Sequence, residues 1–246
     1  MPGNPEGPRM EQRPPMRLRV ATWNIHSGVG LDGRFAPERI LRVIEELDAD
    51  VVALQEVGTG RAGFDMPAWL RDAAAGELHF MATCHTRHGA FGNALLSRIP
   101  LLSAACVPLD SGGREPRNAI DARLEHEGRR LRLIATHLGL ARSEQQAQLA
   151  QLAAIASGEP DEPLVLLGDF NVWRASRLAR LAAAQGPPPR TYPSPLPVVA
   201  LDRILVEPAQ ACLGLRPHRS RTARVASDHL PLVADIALGE AAPEGP

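Results

Sequence analysis

The segment VASDHLPLVADI, residues 225–236, decides how this chain is read. From Leu230 to Ile236 it is almost wholly apolar, the pattern of a strand covered on both faces. Ser227, Asp228 and His229 stand at its entrance, where packing needs none of them. The same arrangement recurs along the chain: RVATWN ends at Asn24, VVALQE at Glu56 and LRLIATH at His137, while LVLLGDFN delivers Asp169 and Asn171. VVALDRILV places Asp202 at the start of a further strand. Apolar strands hold such polar ends rigidly, and function concentrates on ends of this kind.

Working outward from these strands, the remaining elements follow from periodicity and punctuation. PERILRVIEELDAD has Pro37 at a first helical position and Ile40, Leu41, Ile44 and Leu47 on one face, which predicts a helix. MPAWLRDAAAG predicts a short helix stopped at Gly76. GNALLSR, PLLSAACVPL, NAIDARLEH and RRLRLIATHL read as strands, the last two joined by a hairpin at Glu127 and Gly128. In SEQQAQLAQLAAIASG, Ser143 precedes Gln146 by three residues, a capping-box spacing, and Leu149, Leu152 and Ile155 form the apolar face. RASRLARLAAAQ predicts another helix and GPPPRTYPSPLP a proline-stiffened loop. Strand groups joined as hairpins and mixed with helices indicate an α+β or layered sandwich. One folded domain is expected over residues 16–238, with Pro/Gly-rich disordered tails at 1–15 and 239–246.

Composition narrows the chemistry. All 27 basic residues are arginine, so Schiff-base lysine chemistry and a Walker-type phosphate lysine are excluded. A formal net charge of -1 gives no global field for polyanions. Cys84, Cys106 and Cys212 lie far apart and show no zinc-ligand spacing, which fits a reducing, cytoplasmic setting. No run approaches the roughly 20 apolar residues of a membrane helix, so no stable membrane insertion is expected, and a monomer is. Oxygen ligands such as Glu56, Asn24 and Asp228 suit Mg²⁺ or Mn²⁺. Such a cation works on phosphate esters by neutralising charge, and a histidine can then take the proton from water.

The order WN, QE, THL, GDFN, LDRI, SDHLP resembles the endonuclease/exonuclease/phosphatase superfamily of DNase I-like phosphoesterases, with GDFN and SDHLPL as the specific part of the signature. The resemblance implies a four-layer αββα sandwich of two packed mixed β-sheets flanked by helices. It implies Asn24, Glu56 and Asp228 around a divalent metal, and His229 as general base with Asp202 on its other ring nitrogen. Asp169 and Asn171 then orient the nucleophile and bind phosphate oxygen, His137 lies near the leaving group, and Arg117 clamps phosphate. Asn93 is a further phosphate candidate. At His26 some nuclease members carry an acidic metal ligand, so the metal shell here differs from theirs. The basic stretch RPHRSRTAR, residues 216–224, is a candidate lining of the site entrance.

The leading expectation is a phosphodiesterase that directs water onto phosphorus, with phospholipid headgroups or small diesters ahead of nucleic acid. A DNA or RNA endonuclease or exonuclease is the alternative enzyme, a phosphomonoesterase is also open, and a catalytically silent phosphate-binding module is the non-enzyme alternative.

Overall fold

The computed structural model describes residues 16–61, 63–87, 89–158, 162–174 and 187–238. The expected tails, and the helix expected over 174–185 apart from its first residue, lie outside these residues.

The first sheet holds β1 (Met16–Asn24), β2 (Val51–Arg61), β3 (Phe64–Asp65), β4 (Glu77–Thr86), β5 (Gly89–Ser97), β11 (Cys212–Pro217) and β12 (Leu232–Leu238), in the order β11-β12-β1-β2-β5-β4 with β3 beside β2. The second holds β6 (Leu101–Leu109), β7 (Arg117–His126), β8 (Arg129–His137), β9 (Leu164–Asp169) and β10 (Asp202–Glu207), in the order β10-β9-β8-β7-β6. Each sheet has one parallel pair, β1 with β2 and β8 with β9, among antiparallel neighbours. Helices α1 (Pro37–Leu47), α2 (Met66–Ala73) and the short α4 (Ala223–Ala226) flank the first sheet, and α3 (Arg142–Ala156) flanks the second.

Alternating side chains explain the continuous apolar runs. On β1, Leu18 and Val20 enter the core between the sheets, while Ala21 and Trp23 turn to the helices. On β8, Leu131, Leu133 and Ala135 enter the same inter-sheet core and Ile134 faces α3. From Val20 on β1 and from Leu131 on β8 both faces are covered, whereas Arg17 and Arg130 at the strand starts remain exposed. The four-layer sandwich expected from the sequence is therefore the fold observed.

Several local expectations change. The buried face of α1 is Ile40, Val43, Ile44 and Leu47, with Leu41 only partly buried. Helix α3 starts at Arg142 after Ala141, and no side chain caps it, so Ser143 is not its N-cap. Residues 198–201 are not strand: β10 begins at Asp202, and Val199 makes only an isolated bridge to Tyr192. Strands β4 and β11, which the sequence does not suggest, are the two edges of the first sheet.

Candidate active site

Both parallel pairs end at one place. In the first sheet Asn24 lies beside Gln55, one residue before Glu56. In the second, His137 lies beside Asp169, and Asp169 faces Asp202 on the antiparallel neighbour. Register alone thus brings His137, Asp169 and Asp202 to one level on three adjacent strands.

Local backbone departures aim the side chains. Leu54 faces Ala94 and Val57 faces Gly92, so β2 carries an extra residue here, and Glu56 in that bulge has φ 57°. A bulge re-aims a side chain that regular pleating would send into the helices. Gly168 has φ +146°, and a Cβ there would collide with the Thr136 carbonyl oxygen, so only glycine lets β9 come this close to β8. Asn171 follows with φ 52°, its backbone N–H donating to Asp169 Oδ1 at 2.9 Å and its side-chain amide to the Leu138 carbonyl at 3.0 Å.

The lead-in to β12 divides its work. Ser227 is structural: its hydroxyl donates to the Asn24 carbonyl at 2.7 Å and locks this segment to the end of β1. The Trp23 indole donates to the His229 carbonyl at 2.9 Å. His229 then places Nδ1 at 2.9 Å from Asp202 Oδ2, which also accepts from Thr191 Oγ1 at 2.5 Å. A carboxylate only accepts, so it holds the ring proton on Nδ1 and leaves Nε2 facing the cavity, 3.7 Å from Asp169 Oδ2. Tyr192 packs on the same ring at 4.9 Å between centroids.

Asn24 sits between two carboxylates, donating from Nδ2 to Glu56 at 2.9 Å and to Asp169 at 3.1 Å, while its oxygen accepts from the His26 backbone. In this orientation it presents nitrogen, not oxygen, to the acidic groups. His137 approaches Asp169 Oδ2 at 3.6 Å through Nε2, and Arg117 donates from Nη1 to His137 Nδ1 at 3.3 Å. Arg117 also reaches Glu115 at 3.3 Å, and its buried Nε has no partner among the described residues. Asp228 has His26 Nδ1 at 4.0 Å, and that nitrogen lies 3.1 Å from the Val29 carbonyl. Asn24, Glu56, Arg117, His137, Asp169, Asn171, Asp228 and His229 line one open cavity of about 480 Å³. Asp202 is wholly buried behind His229.

Asn93 is the departure. It is buried, and its amide donates to Asn118 Oδ1 at 2.9 Å, stitching one sheet to the other instead of facing the cavity. The basic stretch 216–224 contributes none of the lining either. Arg216 pairs with Asp235 at 2.6 Å, His218 with Glu46 at 2.9 Å, and Arg224 reaches the Pro195 carbonyl. Tyr192, Thr191 and Glu115 in turn escape a reading of the sequence, since none of them sits at the end of an apolar strand.

Electrostatics separate the two histidines. Burial lowers His137 to about 4, with the Arg117 charge adding to it and Asp169 opposing, so the ring is neutral at pH 7. Burial also works to lower His229, but Asp202, Asp169 and Asp228 outweigh it and raise the ring to about 10. Burial pushes the Glu56 carboxyl up, and the charges of Asp169 and Asp228 add to this beyond what the Asn24 hydrogen bond offsets. Among the described residues Glu56, Asp169 and Asp228 have no arginine ion pair, and the single charge of the His229 ring does not balance them; oxygen donors of this kind fit a hard divalent cation. Asp169, Asp202 and His229 also offer atoms within 4.8 Å of one another. That trio is the poorer metal cage, because Asp202 and His229 are engaged with each other by a hydrogen bond.

The Endonuclease/Exonuclease/phosphatase family model matches residues 21–229. The chain belongs to this family. Members of the endonuclease/exonuclease/phosphatase family are generally hydrolases of phosphoester bonds and typically depend on a divalent metal. The uncharacterized protein YbhP of Escherichia coli K12 is 32% identical over 256 aligned positions, covering 93% of this chain and 99% of that protein. An endonuclease/exonuclease/phosphatase from Beutenbergia cavernae superposes with a TM-score of 0.74 at 25% identity, over 92% of this chain and 72% of that one. Danio rerio TDP2, solved with a single-strand DNA product, superposes with a TM-score of 0.63 at 21% identity, over 89% of this chain and 98% of that one, a likeness of fold alone. Within the family fold, the site described above lies where the ends of both sheets meet.

Proposed function

We propose that this chain is a divalent-metal-dependent phosphodiesterase that directs water onto phosphorus. The observation that carries the proposal is the Asp202–His229 pair, whose free Nε2 faces a cavity also lined by Glu56, Asp169, Asn171, Asp228 and Arg117.

Glu56 and Asp228 are the residues that would hold the cation, and Asn24 joins them if its amide turns over. When bound, a divalent cation neutralises these carboxylates and the phosphate and makes phosphorus more open to attack. The residues of the chain do the rest. With the Asp169 and Asp228 charges offset by a cation, the His229 ring, protonated in the metal-free protein, can become neutral, and its Nε2 then takes a proton from the attacking water as the water oxygen forms the bond to phosphorus and the ester P–O bond breaks. Asp202 steadies the imidazolium so formed. Asp169 and Asn171 orient the water and a phosphate oxygen. Neutral His137 donates an Nε2–H hydrogen bond toward the leaving oxygen, which takes its proton from solvent, and Arg117 can turn its unpartnered Nε–H to a phosphate oxygen.

The setting we assign is cytoplasmic, with the chain acting as a single subunit. Among the described residues no helix is long and apolar enough to cross a membrane. A nuclease is the second reading, supported by the fold shared with the DNA-bound TDP2 structure. A turnover panel in Mg²⁺ and in EDTA decides between them: bis(p-nitrophenyl) phosphate, p-nitrophenyl phosphate, nicked and abasic duplex, RNA and phospholipid vesicles. Hydrolysis of the small diester, abolished by EDTA, is expected. Turnover confined to nucleic acid selects the nuclease, and none with any substrate removes the enzyme reading.

A further inference from the structure

The cleft continues past the catalytic residues. A second cavity of about 530 Å³ adjoins the first and shares Phe91 and Glu115 with it. Its walls are of a different kind: Phe35 and Phe64 meet edge to face at 5.3 Å, and Phe91 closes the side toward the catalytic groups. Gly58, Gly60 and Gly89 present bare backbone between these rings. At Gly89 the close approach is built in, since its φ is +133° and a Cβ would strike the Thr59 side chain and carbonyl. Arg61 lies exposed at the lip and has no ion pair among the described residues. Phenyl rings, flat peptide surface and a free guanidinium suit a planar aromatic group, which rings contact edge-on and guanidinium stacks against. A volume of this size accepts a bicyclic ring.

We infer that this second cavity receives one ester arm of the substrate, and that this arm carries an aromatic ring system. The inference rests on the phosphoester reading for its substrate, but the cavity can be tested without turnover.

The probes are 1-naphthylmethylphosphonate, octylphosphonate and methylphosphonate, which cannot be hydrolysed at the C–P bond, bound to the full chain in Mg²⁺ and followed by calorimetry. The naphthyl compound should bind at least about tenfold more tightly than methylphosphonate, with octylphosphonate between them. Gly58→Leu plugs the cavity: a Cβ at Gly58 meets only Phe91 at 3.6 Å and the Ala90 carbonyl at 3.8 Å, both ordinary contacts. It should erase most of the naphthyl preference. Phe35→Ala, which removes one wall, should reduce it severalfold and serves if the first variant does not fold. Equal binding of the three probes, an octyl gain matching the naphthyl gain, or a preference unchanged in a folded variant overturns the assignment. Turnover is scored separately. Absence of all phosphoester hydrolysis defeats the functional reading while the binding ratios still judge the cavity.

Discussion

His229 and His137 lie on either side of Asp169 and are driven in opposite directions by what surrounds them. His229→Ala should lower turnover by ~10²–10⁴-fold with the circular dichroism spectrum preserved. Wild-type rates in that variant would remove the proposed base. Asp202→Asn should also slow the reaction, because an amide can donate to Nδ1 and so favour the wrong tautomer. The same pair sets how stability of the metal-free protein depends on pH. His229 has its folded pKa raised to about 10 from 6.5, so its contribution is complete below about 6.5 and is lost as pH climbs toward 10. His137 is lowered to about 4, so its contribution is complete above about 6.5 and is lost as pH falls toward 4. Urea unfolding in EDTA should therefore show stability falling on both sides of neutrality. His229→Asn should flatten the alkaline limb and His137→Asn the acid limb. A wild-type curve level from pH 6.5 to 10 would count against the His229 environment described here.

At the scale of elements, two glycines at positive φ distinguish conformational cost from collision. Gly128, φ +75°, turns the β7–β8 hairpin, and a methyl placed on it would meet nothing within 4 Å, so Gly128→Ala should cost about 1 kcal/mol. Gly168, φ +146°, has the Thr136 carbonyl in the way, and Gly168→Ala should cost several times as much, roughly 3 kcal/mol or more, in thermal or urea unfolding. Similar losses in the two variants would refute the close β8–β9 approach that sets Asp169 beside His137. Strands also differ in how legible they are from sequence. β1 from Val20, β2 up to Gln55, β8 from Leu131, β9 from Val165 and most of β12 are buried on both faces, so their apolar runs and polar ends stand out. Edge strands β4 and β11 are mostly half-buried, with ELHFMATCHT and CLGLRP carrying no clear alternation, and an edge has too little core to imprint one. The start of α3 is hidden for a different reason. Gln145 donates to the Gly139, Leu140 and Asn171 carbonyls, and Gln148 accepts from the Gly139 backbone, so buried polar side chains tie down this end where the spacing predicts a serine cap. No local spacing rule reports contacts of that kind. For the site, GDFN and SDHLP disclose their residues because strand ends carry them, whereas Tyr192 comes from a loop whose path only the tertiary structure defines.

Across the whole molecule, the acidic groups are contributed by both sheets: Glu56 from β2 in one, Asp169 from β9 in the other, and Asp228 from the lead-in to β12. Between the sheets lies the largely aliphatic core of Leu18, Val20, Leu133 and Val165, which holds the two halves in register. A cation bound at that junction favours only the state in which the sheets are packed together, so its binding energy adds to global stability. Unneutralised, the same carboxylates repel one another across the junction and weaken it. Mg²⁺ titrated into metal-free protein should raise the melting temperature progressively, with a gain of about 2.7 kcal/mol at a hundred times its dissociation constant. Glu56→Ala should behave in a way no surface substitution imitates: it removes one of the repelling charges, so the metal-free protein keeps or gains stability, while the Mg²⁺-dependent rise is largely lost. An equal Mg²⁺ response in wild type and Glu56→Ala would show that the cation acts elsewhere, and a fall in metal-free stability beyond about 1 kcal/mol would show that Glu56 serves the fold before it serves a metal.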